Sequence, residues 1–146
     1  MPRKFFLLSF VLLVSCALRI SAQTKDPIEH LWYDQDKTAK IEIYLAKDGK
    51  YYGKIVWLKV PTVNGKNKID IHNPDEQKRN EPILGLVLLR GFNKEGKNIY
   101  EDGTVYDPKG GRTYSCKMTL NGNKLNVHGY WGISIIGRST TWTMAD

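Results

Sequence analysis

The sequence predicts an all-β fold, a single eight-stranded antiparallel up-and-down barrel. Three observations predict it. Apolar residues recur at every second position in segment after segment, no segment sustains a helical period, and glycine-bearing turns separate most of the segments. Period-2 alternation puts the apolar side chains of a strand on one face, which a barrel buries in its interior.

The elements follow in order. A short first strand is expected around His30 to Asp34. In the second, Ile41, Ile43 and Leu45 alternate with Lys40, Glu42 and Tyr44. Tyr52, Val56, Leu58 and Val60 mark the third, interrupted by Gly53. Pro82 to Phe92 is a continuous apolar run, as expected of a strand buried on both faces. Asn98 to Tyr106, Arg112 to Leu120, Lys124 to Trp131 and Arg138 to Met144 complete the set. Lys47-Asp48-Gly49-Lys50, Asn93-Lys94-Glu95-Gly96, Asp107-Pro108-Lys109-Gly110-Gly111 and Asn121-Gly122-Asn123 carry hairpin chemistry. Consecutive strands joined this way form a meander, and closure of eight removes exposed edges. A two-sheet sandwich is the alternative, but its crossovers need several long connections. Here one is long, Pro61 to Asn80, within which Asn73 and Pro74 can cap and start a helical turn. Because connections of a meander alternate between ends, this loop should meet Asp107 to Gly111 and Gly132 to Gly137.

Residues 1–22 read as an export signal, leaving residues 23–146 as one β-barrel domain. Arg3 and Lys4 precede an apolar stretch from Phe5 to Leu18, and Ile20-Ser21-Ala22 offers a small-residue cleavage site. The stretch is too short for a spanning helix, so no transmembrane helix is expected. Leu13-Val14-Ser15-Cys16 resembles a lipobox, so anchoring through Cys16 is the alternative to a periplasmic or secreted form. Arg3, Lys4 and Arg19 supply three of the net +7 charges, leaving +4. The remaining Lys and Arg are interspersed with acids rather than gathered in a basic stripe, which argues against nucleic acid.

Catalytic patterns are weak. Ser134 in Gly132-Ile133-Ser134-Ile135-Ile136-Gly137 lacks the spacing and the strand-to-helix turn of a nucleophile elbow. Asp70-x-His72 with Asp75 lacks the ligand spacing of a zinc site, so no metal or cofactor is expected. Cys116 shares its face with Tyr114, Met118 and Leu120, as a buried thiol would. Asp75-Glu76 and Glu101-Asp102 read as surface charge, and His128 as an exterior histidine. No nucleophile–base pair converges, so the reading leans away from an enzyme.

Four stretches, "KIEIYLAKDGKYYGKIVWL", "EPILGLVLLRGF", "GTVYDPKGGRTYSCKMTL" and "LNVHGYWGISIIGRSTTWTM", resemble in order and spacing domain-of-unknown-function family 2147, a group of small exported bacterial proteins. The resemblance implies a lipocalin-like (calycin) barrel and assigns no activity or catalytic residue.

The expected function is binding of a small apolar or amphipathic molecule, such as a lipid, inside the barrel. The candidate ligand-binding residues are Trp57, Tyr106, Trp131, Ile133, Ile135 and Ile136, with Trp142 a further candidate for the interior. Barrel closure is expected to bring Trp32 and Arg138 together as a structural clasp. The alternative is a cell-envelope module with a solid core that binds a protein or glycan.

Overall fold

The computed structural model describes residues 24–133 and 135–146. Residues 1–22, expected to be an export signal and including Cys16, and Ser134 lie outside the described residues. The strands are β1 (Leu31–Tyr33), β2 (Ala39–Leu45), β3 (Tyr51–Leu58), β4 (Thr62–Val63), β5 (Lys66–Asn67), β6 (Val87–Lys94), β7 (Ile99–Asp107), β8 (Arg112–Asn121), β9 (Lys124–Tyr130) and β10 (Gly137–Met144). Eight of them close an antiparallel barrel in the order β1-β10-β9-β8-β7-β6-β3-β2. Most neighbours in the ring are neighbours in sequence, so tight turns set most of the pairing and the β1–β10 contact completes it.

Three local features depart from the sequence reading. Within the long connection, β4 and β5 pair as a separate hairpin. Asn64 and Gly65 turn it with φ of 51° and 74°, the left-handed pair that two-residue hairpins favour. The run from Pro82 to Phe92 is only partly strand, because β6 begins at Val87. Its first residues fold under the loop: Ile83 N–H donates to the Lys68 carbonyl (2.9 Å) and Gly85 N–H to the Ile55 carbonyl (2.8 Å). Finally, a bulge interrupts the β2–β3 ladder, pairing Lys40 with Trp57 but Ile41 with Ile55. The extra residue, Val56, reverses the alternation beyond it. Leu58 therefore joins the interior cluster while Trp57 turns outward.

The expected clasp between Trp32 and Arg138 does not form. Because β1 has three residues, it meets only the end of β10, pairing Trp32 with Met144 and Tyr33 with Thr143. Arg138 lies near the other end of β10, opposite Gly129. Trp32 is instead wholly buried, its indole Nε1 donating to the Ile28 carbonyl (3.0 Å).

One end of the barrel is sealed by the turn before β1. Ile43, Phe92, Tyr100, Met118, Leu120 and Leu125 fill the interior on that side. The seal centres on Asp26, whose side chain is 10% exposed. Its carboxylate accepts from the Tyr100 hydroxyl, the Lys94 ammonium, the Tyr51 hydroxyl (3.2 Å) and the Ile28 N–H (3.2 Å). Burial alone would raise the pKa of Asp26. The hydrogen bonds from Lys94, Tyr100 and Ile28, with the charge of Lys94, outweigh it and hold the carboxyl below its ordinary value. Burial, followed by the charge and hydrogen bond of Asp26, pushes Tyr51 up to about 12.

These shifts link the seal to pH in both directions. Asp26 has a lowered folded pKa, so its contribution is present above the ordinary value of 3.8 and is lost as pH falls through the folded value. Tyr51 has a raised one, so its contribution is intact below 10.0 and disappears as pH rises toward about 12. In urea titrations across pH, Asp26→Asn should show a shallower acid decline than the parent protein. An identical acid limb would mean that the carboxylate does not carry this linkage.

Candidate functional site

At the end opposite Asp26 the interior is not filled. A cavity of about 760 Å³ opens there between the strands, the β3–β6 connection and the β7–β8 turn. Inward alternation supplies its strand walls: Ile41 from β2, Ile55 and Leu58 from β3, Leu88 from β6, Val105 from β7 and Trp142 from β10. The long connection adds Ile69, Ile71 and Ile83 as a fourth side. Lys59, Lys68, Lys109, His72, Asp34 and Asp107 also line it. Both rim carboxylates serve the adjoining turns. Asp34 accepts from Thr38 N–H, Thr38 Oγ1–H (2.6 Å) and Ala39 N–H (2.9 Å), and Asp107 accepts from Lys109 N–H (2.9 Å).

The loop is held as a wall by Asp70, which is 1% exposed. One carboxylate oxygen accepts from the Tyr106 hydroxyl (2.8 Å) on β7, the other from the Asn73 amide (2.7 Å). The Asp70 backbone N–H donates to the Glu81 carbonyl (2.9 Å), tying the two sides of the loop together. Burial, then the hydrogen bond and charge of Asp70, push the Tyr106 hydroxyl up to about 12. Close approach of backbones completes the attachment. Gly111, at φ 64°, lies so near the loop that a Cβ there would sit 1.9 Å from the His72 carbonyl oxygen. The expected cap at Asn73 is shifted: the 3₁₀ turn spans Glu76–Lys78 with Asp75 as its cap, while Asn73 Oδ1 accepts the Asp75 N–H (2.9 Å) in the turn before it and Asn73 Nδ2 donates to Asp70.

The long loop and the Asp107 to Gly111 turn thus meet, as the strand count predicts. Of the candidate ligand residues, Tyr106 lines the cavity. Trp57 does not, because the bulge places it outside, edge-on to Tyr33 at 6.1 Å with the Lys40 ammonium 5.9 Å from its ring. Trp131, Ile133, Ile135 and Ile136 are also outside, 71%, 58%, 85% and 63% exposed on the β9–β10 turn. Trp142 is the tryptophan that reaches the cavity. A barrel packed solid throughout is likewise corrected, since filling stops short of this end. Asp70 was hidden from sequence reasoning, because its burial depends on a partner 36 residues away.

The reactive groups stay apart. Cys116 is fully buried, and burial pushes its thiol up to about 12, which suppresses the nucleophilic thiolate. His128 lies on the exterior, Nδ1 2.8 Å from the Ser139 hydroxyl and its ring stacked on Tyr130. Glu101 pairs with Lys117 (2.6 Å), and Asp75 and Glu76 pair with Lys78 and Arg79. Among the described residues no three His, Cys, Asp or Glu side chains gather as a metal site requires.

Residues 30–144 match the model of a family described as "Uncharacterized protein conserved in bacteria" (DUF2147). Among solved structures, the chain is similar to "Protein HP1028 from the human pathogen Helicobacter pylori", whose title assigns it to the lipocalin family. The two are 24% identical, with a TM-score of 0.72 over 84% of this chain and 85% of that one, a likeness of fold. No curated protein matches the chain.

Replacing Tyr106 with Phe removes a donor from a buried carboxylate, a loss of about 1–3 kcal/mol. Hydrogen exchange should therefore quicken in residues 68–83 while the amides of β8 and β9 keep their protection. Unchanged exchange in the loop would mean that the Tyr106–Asp70 bond does not hold it.

Proposed function

This chain belongs to the bacterial family whose model spans residues 30–144, and we propose that it is an exported protein that holds a small apolar or amphipathic, lipid-like molecule in the open half of its barrel. One observation carries the proposal: a cavity of about 760 Å³, apolar along its strand walls and polar at its rim, open at one end of the barrel. Protein interiors are ordinarily close-packed, and the sealed half of this barrel conforms. Small-molecule sites typically occupy roughly 300–1,000 Å³ with apolar walls and a few polar groups. The lipocalin-like fold supports the same reading, because eight-stranded barrels can hold one small ligand.

In this account Ile41, Ile55, Leu88 and Trp142 bury the ligand's apolar part, and Tyr106 keeps the loop in place beside it. Removal of apolar surface from water supplies the affinity, about 25 cal/mol per Å² before the costs of ordering are subtracted. Export rests on residues 1–22, with cleavage after Ala22 or lipidation at Cys16 as the two routes. The intact mass of the mature protein distinguishes them. Among the described residues no helix is long and apolar enough to cross a membrane.

Nile red, a neutral apolar dye, tests the cavity without favouring a charge at its rim. It should bind with one site per chain, and Ala39→Phe should weaken it at least tenfold, about 1.4 kcal/mol. Ala39 faces the cavity across from Leu58, so the larger side chain fills the space that a ligand would take. Equal binding by the two proteins would place the dye elsewhere and remove the main support for the proposal.

A further inference from the structure

The cavity makes no use of the β9–β10 turn at its own end of the barrel. That turn exposes Trp131, Ile133, Ile135 and Ile136, with the Trp131 ring edge-on to Tyr114 at 6.1 Å. Apolar side chains this exposed, side by side on one turn, mark a surface that meets something other than water.

Charge indicates the partner. From Pro108 to Ala145 the chain contains no Asp or Glu, so β8, β9 and β10, which are consecutive around the barrel, carry no carboxylate side chain. The same stretch carries Lys109, Arg112, Lys117, Lys124, Arg138 and His128. Lys117 is neutralised by Glu101 of β7, and Lys124 begins β9 at the sealed end. The other three strong cations, Lys109, Arg112 and Arg138, belong to the end that bears the apolar turn. All three are exposed and form no ion pair among the described residues. Asp107 adjoins them across the ladder from Arg112, its carboxylate accepting the Lys109 N–H.

We propose that the β9–β10 turn docks the open end of the barrel onto an anionic lipid bilayer. Ile133, Ile135 and Ile136 enter the acyl boundary. Trp131 lies at headgroup depth, where an indole's apolar body and N–H are both satisfied. Lys109, Arg112 and Arg138 meet lipid phosphates. Apolar insertion and basic charge act together in such binding, each alone giving a weaker and more reversible contact. Docked this way, the cavity mouth opens toward the bilayer rather than away from it.

Co-sedimentation with vesicles tests the docking separately from the cavity. The intact mature protein should bind phosphatidylglycerol–phosphatidylcholine vesicles at least tenfold more strongly than phosphatidylcholine alone, and high salt should reduce the difference. Ile135→Asp should lower binding at least tenfold, and the double variant Arg112→Gln, Arg138→Gln should lose most of the preference for anionic lipid. Both variants should retain Nile red binding, which monitors folding and the cavity. Equal binding to neutral and anionic vesicles, or none to either, would overturn the proposal. So would a concentration-dependent dimer that Ile135→Asp abolishes, since the turn would then be an interface with a second copy.

Discussion

The open end of this barrel depends on a buried carboxylate whose hydrogen bonds come from Tyr106 and Asn73. Asp70 is taken out of water, and burial of a carboxylate is tolerable only when its oxygens are satisfied. Meeting that requirement fixes the long connection against β7, and the contact of Gly111 with the loop backbone leaves little freedom to move away. Ile69, Ile71 and Ile83 then stand along the cavity as one of its walls, with Ile69 and Ile71 still 40% and 61% exposed. Without that attachment the strands alone would form an open cup.

The two ends use polar chemistry for opposite purposes. At the sealed end Asp26 gathers two tyrosines and a lysine over a filled core, so the barrel is closed there by hydrogen bonds as well as by packing. At the other end Asp70 fixes a wall and leaves the space beside it unfilled. Aromatic hydroxyls donate to a carboxylate in both cases, and the burial of each site pushes its tyrosines up. Among the described residues the apolar cavity opens at the barrel end that also bears Trp131, Ile133, Ile135 and Ile136.

Much of the architecture was legible because it is local. Alternation and glycine turns determine the strand count, and in a meander the strand count assigns each connection to an end. That reasoning correctly brought the long loop to Asp107–Gly111 and correctly made Cys116 an interior residue. It failed where a single residue changes register. Val56 reverses the facing of Trp57, and the brevity of β1 separates Trp32 from Arg138. The Asn64-Gly65 hairpin was present as a signal but was masked by the length of the surrounding loop. Asp26 and Asp70 were not legible, because each is defined by tyrosines distant in sequence. The cavity was open to two readings, since an eight-stranded interior can be filled or hollow and packing decides which.

The central claim is that the hollow half of the barrel holds a lipid-like molecule. Native mass spectrometry of the protein purified from its own host, followed by organic extraction of any adduct, tests it most directly. The account predicts one amphiphile per chain, released on extraction and missing from Ala39→Phe prepared in the same way. A parent protein that arrives bare, and takes up nothing from its host's lipid extract, would contradict it.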